Sequence, residues 1–240
     1  MVDRLAVPSG GIPPPQQGGE AGPGRRASLT ELAYEALKRE ILTAGIRPGA
    51  PLIENDLATR FGVSKTPIRE ALRLLVQDGW IVVLPRKGYL VRPLSLEDVR
   101  EVFALRQLLE PQVTADAAAS GSQALLQRLR GAARVQADEE ASYEAAMRSA
   151  RAFHLTLAET AGNGRLIKVL EGLLDEVERL LHLMPELGGH LTSIAETSAH
   201  QRIVAAIGAR DPEAAAAHMR AHLAESSQTL VKAFSGVSQQ

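Results

Sequence analysis

Two groups of residues have types and spacings that could do chemistry. The first is cationic. Lys65, Thr66, Arg69 and Arg73 fall on the helical face opposite Ile68, Leu72 and Leu75. A guanidinium on such a face can bond guanine O6 and N7 through two parallel donors, worth about 1–3 kcal/mol of discrimination against a wrong base. Arg69, one turn into the helix, suits that role. Lys65 and Arg73, with Arg86 and Lys87 in the run Pro85-Arg86-Lys87-Gly88, suit phosphates or the minor groove. For any one of them a solvated surface charge is the alternative, and the ordered set of turn, face and basic hairpin is what favours DNA.

The second group is imidazole. His154 is in line with Met147, Ala150 and Leu157; His200 precedes Ile203, Val204 and Ile207; His222 lines up with Met219, Ser226 and Leu230. Neutral imidazoles on inward faces of three helices suit zinc, nickel or iron, and a hydrogen-bonded core histidine is the alternative for each. His218 is a possible fourth, His182 reads as solvated, and His190 starts a helix or sits in a loop. Arg106 shares an apolar stripe with Val99, Phe103, Leu109 and Val113. A buried guanidinium needs a partner, either Glu110 at i+4 or the carboxylate of a bound molecule. Asn163 reads as a helix cap rather than a ligand contact.

Elements must position these groups. Leu32, Ala33, Ala36, Leu37, Ile41 and Leu42 mark a first helix, and Ile53, Leu57, Ala58 and Phe61 one face of a second. Gly62, Val63 and Ser64 form a turn, with Ser64 as N-cap of a third helix that tolerates Pro67 in its first turn. Trp80–Leu84 and Tyr89–Val91 flank a basic tip and read as a hairpin. Three helices and a hairpin make a winged helix-turn-helix. Beyond Pro93, helical patterns run through about 96–119, 123–138, 143–160, 164–185, 191–209 and 212–234, the last opened by Asp211 and Pro212. The expected class is mainly α: an N-terminal winged helix-turn-helix with a short β-hairpin, then an all-α bundle of six or seven helices.

Composition sets the limits. The 240 residues include no cysteine, which excludes disulfides, thiolate metal sites and a catalytic thiol. No apolar run nears the roughly 18 residues of a membrane span, and Met1–Gly10 lacks a signal-peptide core, so a soluble cytoplasmic protein without membrane contact is expected. The net charge of −1 hides an asymmetry. Residues 25–93 hold 12 Lys/Arg against 7 Asp/Glu, whereas 94–240 hold 14 against 19, so only the first part suits a polyanion. Eleven of the seventeen residues from Pro8 to Gly24 are Pro or Gly, which marks a flexible leader. The expected domains are therefore 1–26, leader; 27–94, DNA-binding; and 95–236, helical.

Leu52-Ile53-Glu54-Asn55-Asp56-Leu57-Ala58, then Phe61-Gly62-Val63-Ser64-Lys65-Thr66-Pro67-Ile68-Arg69-Glu70-Ala71-Leu72, then Asp78-Gly79-Trp80 resemble the GntR family of bacterial transcription regulators over about 29–93. Asn55 stands where many members carry a DNA-contacting arginine, and Lys65 where arginine is usual; lysine cannot form the bidentate fork. The remainder resembles the FadR-type effector domain, through Leu105–Glu110, Phe153–Leu157, Ala161–Asn163, His200 with Ile203 and Ile207, and His222-Leu223. That resemblance implies His154, His200 and His222 on a divalent metal such as zinc or nickel beside a small carboxylate effector. The family's aspartate ligand position is Ala150 here. An acyl-CoA-type ligand bound without metal also occurs in the family.

These readings converge on a homodimeric DNA-binding regulator, most often a repressor in this family. Its operator affinity would follow a carboxylate effector bound in the helical domain, with Arg106 as a binding residue. A metal-ion sensor is the alternative. An enzyme using three-histidine metal to activate water is disfavoured, since the histidine faces are read as carrying no carboxylate base and a fused DNA-binding module would be superfluous.

Overall fold

Ser28 accepts a hydrogen bond from the Glu31 amide while Glu31 reaches back to the Ser28 amide, and this capping box opens α1 (Leu29–Leu42). The computed structural model describes residues 27–138 and 142–237, so the expected leader lies outside the described residues. The chain divides into two compact units, one ending at Leu94 and the other beginning at Ser95.

In the first unit, β1 (Pro51–Leu52) precedes α2 (Glu54–Phe61), α3 (Lys65–Gln77), β2 (Ile81–Leu84) and β3 (Gly88–Val91). Gly62, in the left-handed region at φ 66°, ends α2 and sets the turn into α3. Ser64 stands at the N-cap of α3 in extended backbone, although its hydroxyl makes no capping bond. Ile68, Ala71, Leu72 and Leu75 of α3 are fully buried against Ala33, Leu37 and Ile41 of α1, with Trp80, Ile81 and Val91 closing the same core. Ile53 departs from expectation: it is the residue before α2 and is 47% exposed, leaving Leu57, Ala58 and Phe61 as the buried face. The hairpin pairs Ile81 with Val91 and Leu84 with Gly88, and β1 adds a third strand on β3, in the order β1-β3-β2. A two-residue strand carries no periodicity that a sequence can display.

The second unit holds seven helices among its described residues: α4 (Leu96–Ser120), α5 (Gln123–Gln136), α6 (Tyr143–Glu159), α7 (Gly164–Leu183), α8 (Gly188–Leu191), α9 (Ile194–Gly208) and α10 (Pro212–Val237). Capping side chains fix several starts, with Ser95 and Asp98 at α4, Asn163 at α7, Ser193 at α9 and Asp211 at α10. The four-residue α8 follows a single 3-10 turn, Pro185–Leu187, in the gap between the expected helices 164–185 and 191–209. Helix α4 packs mainly along α10, and α5 along α6. Phe153, Leu157, Ile203, Ile207, Met219 and Leu223 fill the centre.

Candidate nucleic-acid interface and buried histidine site

On the first unit, the buried face of α3 turns Lys65, Thr66, Arg69 and Arg73 outward, all exposed, as are Asn55 on α2 and Arg86 and Lys87 at the hairpin tip. Arg86 holds the left-handed backbone region at φ 65°, uncommon for a residue with a side chain. One edge of the Arg69 guanidinium is occupied. Its Nε lies 3.2 Å from both oxygens of Glu54, and Nη2 is 2.9 Å from Oε2. The hydrogen bond from Arg69, against some burial and aided by the charges of Arg69, Lys65 and Arg73, holds the Glu54 carboxyl below its ordinary range. Arg73 pairs with Glu70 at 2.8 Å. Sequence reading missed Glu54 because a first-turn glutamate reads as a helix-dipole partner.

In the second unit, three helices bring His154 (α6), His200 (α9) and His222 (α10) together, all buried, each offering a ring nitrogen within 4.8 Å of the others. Phe153 stacks on His200 with ring centroids 4.1 Å apart and fixes its plane. Each imidazole faces an oxygen through Nδ1. His154 donates to Glu110 Oε2 at 2.5 Å and His200 to Gln136 Oε1 at 2.6 Å, while His222 Nδ1 lies 3.5 Å from Glu196 Oε2. Glu110 also accepts from Arg106 Nε at 2.5 Å. Burial would raise the Glu110 carboxyl, but Arg106 and His154 outweigh it and hold it at about 2. Burial, reinforced by the neighbouring cations and imidazoles, pushes His200 and His222 well below the usual histidine range. Both are therefore neutral near neutral pH, the state a metal ligand requires.

These residues fit a divalent cation. The Nε2 atom of His200 and the Nδ1 atom of His222 are buried without a hydrogen-bond partner, and a buried nitrogen lone pair without a partner is costly. The histidine Nδ1 bonds to Glu110 and Gln136 are the kind that orient metal-ligating imidazoles. Ala150, at the position of the implied aspartate, adds no donor. His218 is only partly buried and lies outside the cluster.

A cavity of about 50 Å3 opens beside His154 and His222, lined also by Arg106, His190, Glu196 and Ala150 within a largely apolar wall. Arg106 is 3% exposed and its guanidinium sits 5.1 Å from the Phe103 ring centroid. Beyond the Nε bond to Glu110, its other nitrogens make no hydrogen bond among the described residues. Both partners weighed for Arg106 thus remain open to it: Glu110 at Nε, and a ligand at Nη.

Two sequence readings need correction, and the alternatives left open for His190 are resolved. His182 is not solvated: its side chain is 10% exposed and lies 3.8 Å from Glu144. His190 belongs to α8, where burial lowers its pKa against the charge of Glu225, and its Nε2 lies 3.6 Å from Glu196. One histidine face does carry a carboxylate, Glu196 four residues before His200 on α9, and Glu110 reaches His154 from α4. Burial raises Glu196 to about 7, against a hydrogen bond from Ser226 Oγ at 3.2 Å, and its Oε2 lies 3.6 Å from His190 Nε2 and 3.5 Å from His222 Nδ1. Glu196 escaped notice because Ser193 three residues earlier makes it read as an exposed capping partner. Its amide does bond Ser193, but its side chain turns inward.

Comparison with known proteins gives two family matches: "Bacterial regulatory proteins, gntR family" over residues 29–91 and "FCD domain" over 101–225. The chain is 31% identical over 199 residues to the HTH-type transcriptional regulator YdhC of Bacillus subtilis (strain 168), covering 79% of this chain and 85% of that one. It is 28% identical to the HTH-type transcriptional repressor GlaR of Escherichia coli (strain K12), covering 82% and 93%. Among solved structures, E. coli McbR/YncC matches with a TM-score of 0.72 and 25% identity, over 86% of this chain and 98% of that one.

Proposed function

Because the chain belongs to the gntR family of bacterial regulatory proteins and carries an FCD domain, we propose that it represses transcription from an operator it binds as a homodimer, and that a small carboxylate in the second unit controls release. Arg69 reads a base in the major groove; Lys65, Thr66 and Arg73, with Asn55 beside them, contact the duplex from the same face, and Arg86 and Lys87 reach it from the wing. Its relative GlaR is a transcriptional repressor. Leu105 and Leu108, exposed at 45% and 74% on α4, favour burial against a second copy.

The observation that carries the effector reading is the pairing, on one cavity, of Arg106 with guanidinium nitrogens to spare and two of three convergent histidines. His154, His200 and His222 would hold a divalent ion, zinc or nickel suiting three imidazoles. That ion would act as a Lewis acid toward the effector's carboxylate. Arg106 binds the same carboxylate through its planar fork, and the apolar wall excludes water. Release of DNA requires the effector to prefer the arrangement that does not bind; equal affinity for both would shift nothing.

His200→Ala is expected to abolish stoichiometric metal, and unchanged content by elemental analysis would remove the three-histidine reading. Arg106→Ala is expected to leave metal in place while DNA binding no longer responds to a panel of short carboxylic acids; a retained response defeats the effector assignment. The convergence of three histidines favours a second reading, an ion that is itself the signal. Metal-free and metal-loaded protein titrated on the same operator, without acid, would then differ in affinity.

A further inference from the structure

Two of the three imidazoles have their protons placed by neighbours. Glu110, held by Arg106, can only accept from His154 Nδ1, so His154 presents a lone pair at Nε2. Gln136 donates its amide N–H to the Leu191 carbonyl at 2.9 Å, which turns its oxygen toward His200, so His200 also donates from Nδ1. His222 differs. Its Nε2 lies 3.4 Å from Nε2 of His154, and because that atom carries a lone pair, the hydrogen between them belongs to His222. The lone pair of His222 is then on Nδ1, which has no hydrogen-bond partner and faces Glu196 Oε2 at 3.5 Å.

A cation held by three Nε2 atoms cannot share the site with that hydrogen. We propose that His222 is the ring that changes tautomer when a cation enters, its proton leaving Nε2 and arriving at Nδ1, and that Glu196 is the acceptor that stabilises the second tautomer. The imidazole is neutral before and after, and the lone pair freed at Nε2 is the one that binds the ion. Glu196 touches no cation and is a positioning residue. Ser226, one turn beyond His222 on α10, anchors it. This inference rests on the three-histidine reading above, and departs from it by assigning a role to a carboxylate four residues before His200.

The test is long-range 1H–15N NMR of the histidine rings in the full chain with and without Zn2+. His154 and His200 are expected as Nδ1–H in both states, and His222 as Nε2–H without zinc and Nδ1–H with it. An unchanged His222 tautomer overturns the proposal. Glu196→Leu is expected to weaken Zn2+ binding about 10–100-fold in competition with a chromophoric chelator. Glu196→Gln, which keeps an acceptor oxygen, is expected to recover most of the loss. Wild-type affinity in Glu196→Leu overturns the proposal while leaving the three-histidine reading intact; a wild-type chain that takes up no Zn2+ overturns both. Should Glu196→Leu fail to fold, the wild-type ring spectra decide alone.

Discussion

Glu54 holds the Nε and Nη2 donors of Arg69, one of the two edges through which a guanidinium can make paired hydrogen bonds. On the reading proposed above, guanine approached along that edge would compete with the intramolecular pair. Glu54→Gln is expected to raise affinity for duplex of any sequence about two- to fivefold, because it frees the fork and removes a negative charge from the DNA-facing side. Fluorescence anisotropy at two salt concentrations measures this. Arg69→Ala should relax the consensus returned by a binding-site selection. Acid dissects the pair further. The folded Glu54 carboxyl lies below its unfolded value, so its contribution to stability is present above about pH 4.5 and fades as pH falls through the lowered value. The stability difference between wild type and Glu54→Gln, from urea unfolding, should therefore shrink between pH 6 and pH 3.5. At this scale the sequence displayed the three convergent histidines, since each stands in an apolar stripe. It hid two of their partners, since Gln136 and Glu196 are polar residues that a periodicity argument assigns to solvent, and it offered Glu110 only as a partner for Arg106.

Elements convert those side chains into surfaces, and the wing shows the cost. Arg86 places a charged side chain at the hairpin tip in a backbone region that disfavours any Cβ by about 1 kcal/mol. Arg86→Gly should raise the thermal midpoint of the first unit slightly while weakening DNA binding, separating strain from function. Leu72, fully buried beneath the cationic face of α3, should be costly to lose: Leu72→Ala is expected to destabilise this unit by about 2–5 kcal/mol in denaturant unfolding. Most elements were legible because long helices repeat their apolar stripe and announce their starts, as Asp211-Pro212 does for α10. Short ones were not. The strand Pro51–Leu52 and the helix Gly188–Leu191 span only about one repeat of their patterns, and α8 matters because its Leu191 carbonyl fixes Gln136, and through it His200.

Across the whole molecule, two units with separate cores divide the work between a cationic face and a buried polar site. Linkage then makes the traffic reciprocal: whatever factor an effector takes from DNA affinity, DNA must take from effector affinity. Leu72→Ala should lower the unfolding midpoint of the first unit without moving that of the second, which differential scanning calorimetry can resolve. Trp80, the chain's sole tryptophan, sits in the core of the first unit at 4% exposure, with the Lys38 ammonium 5.5 Å from its ring centroid. Light absorbed at the red edge of the aromatic band is therefore emitted by the DNA-gripping half alone. With no native thiol to compete, a single cysteine introduced into the helical half could carry a second dye, and one cuvette would then record both halves in different colours.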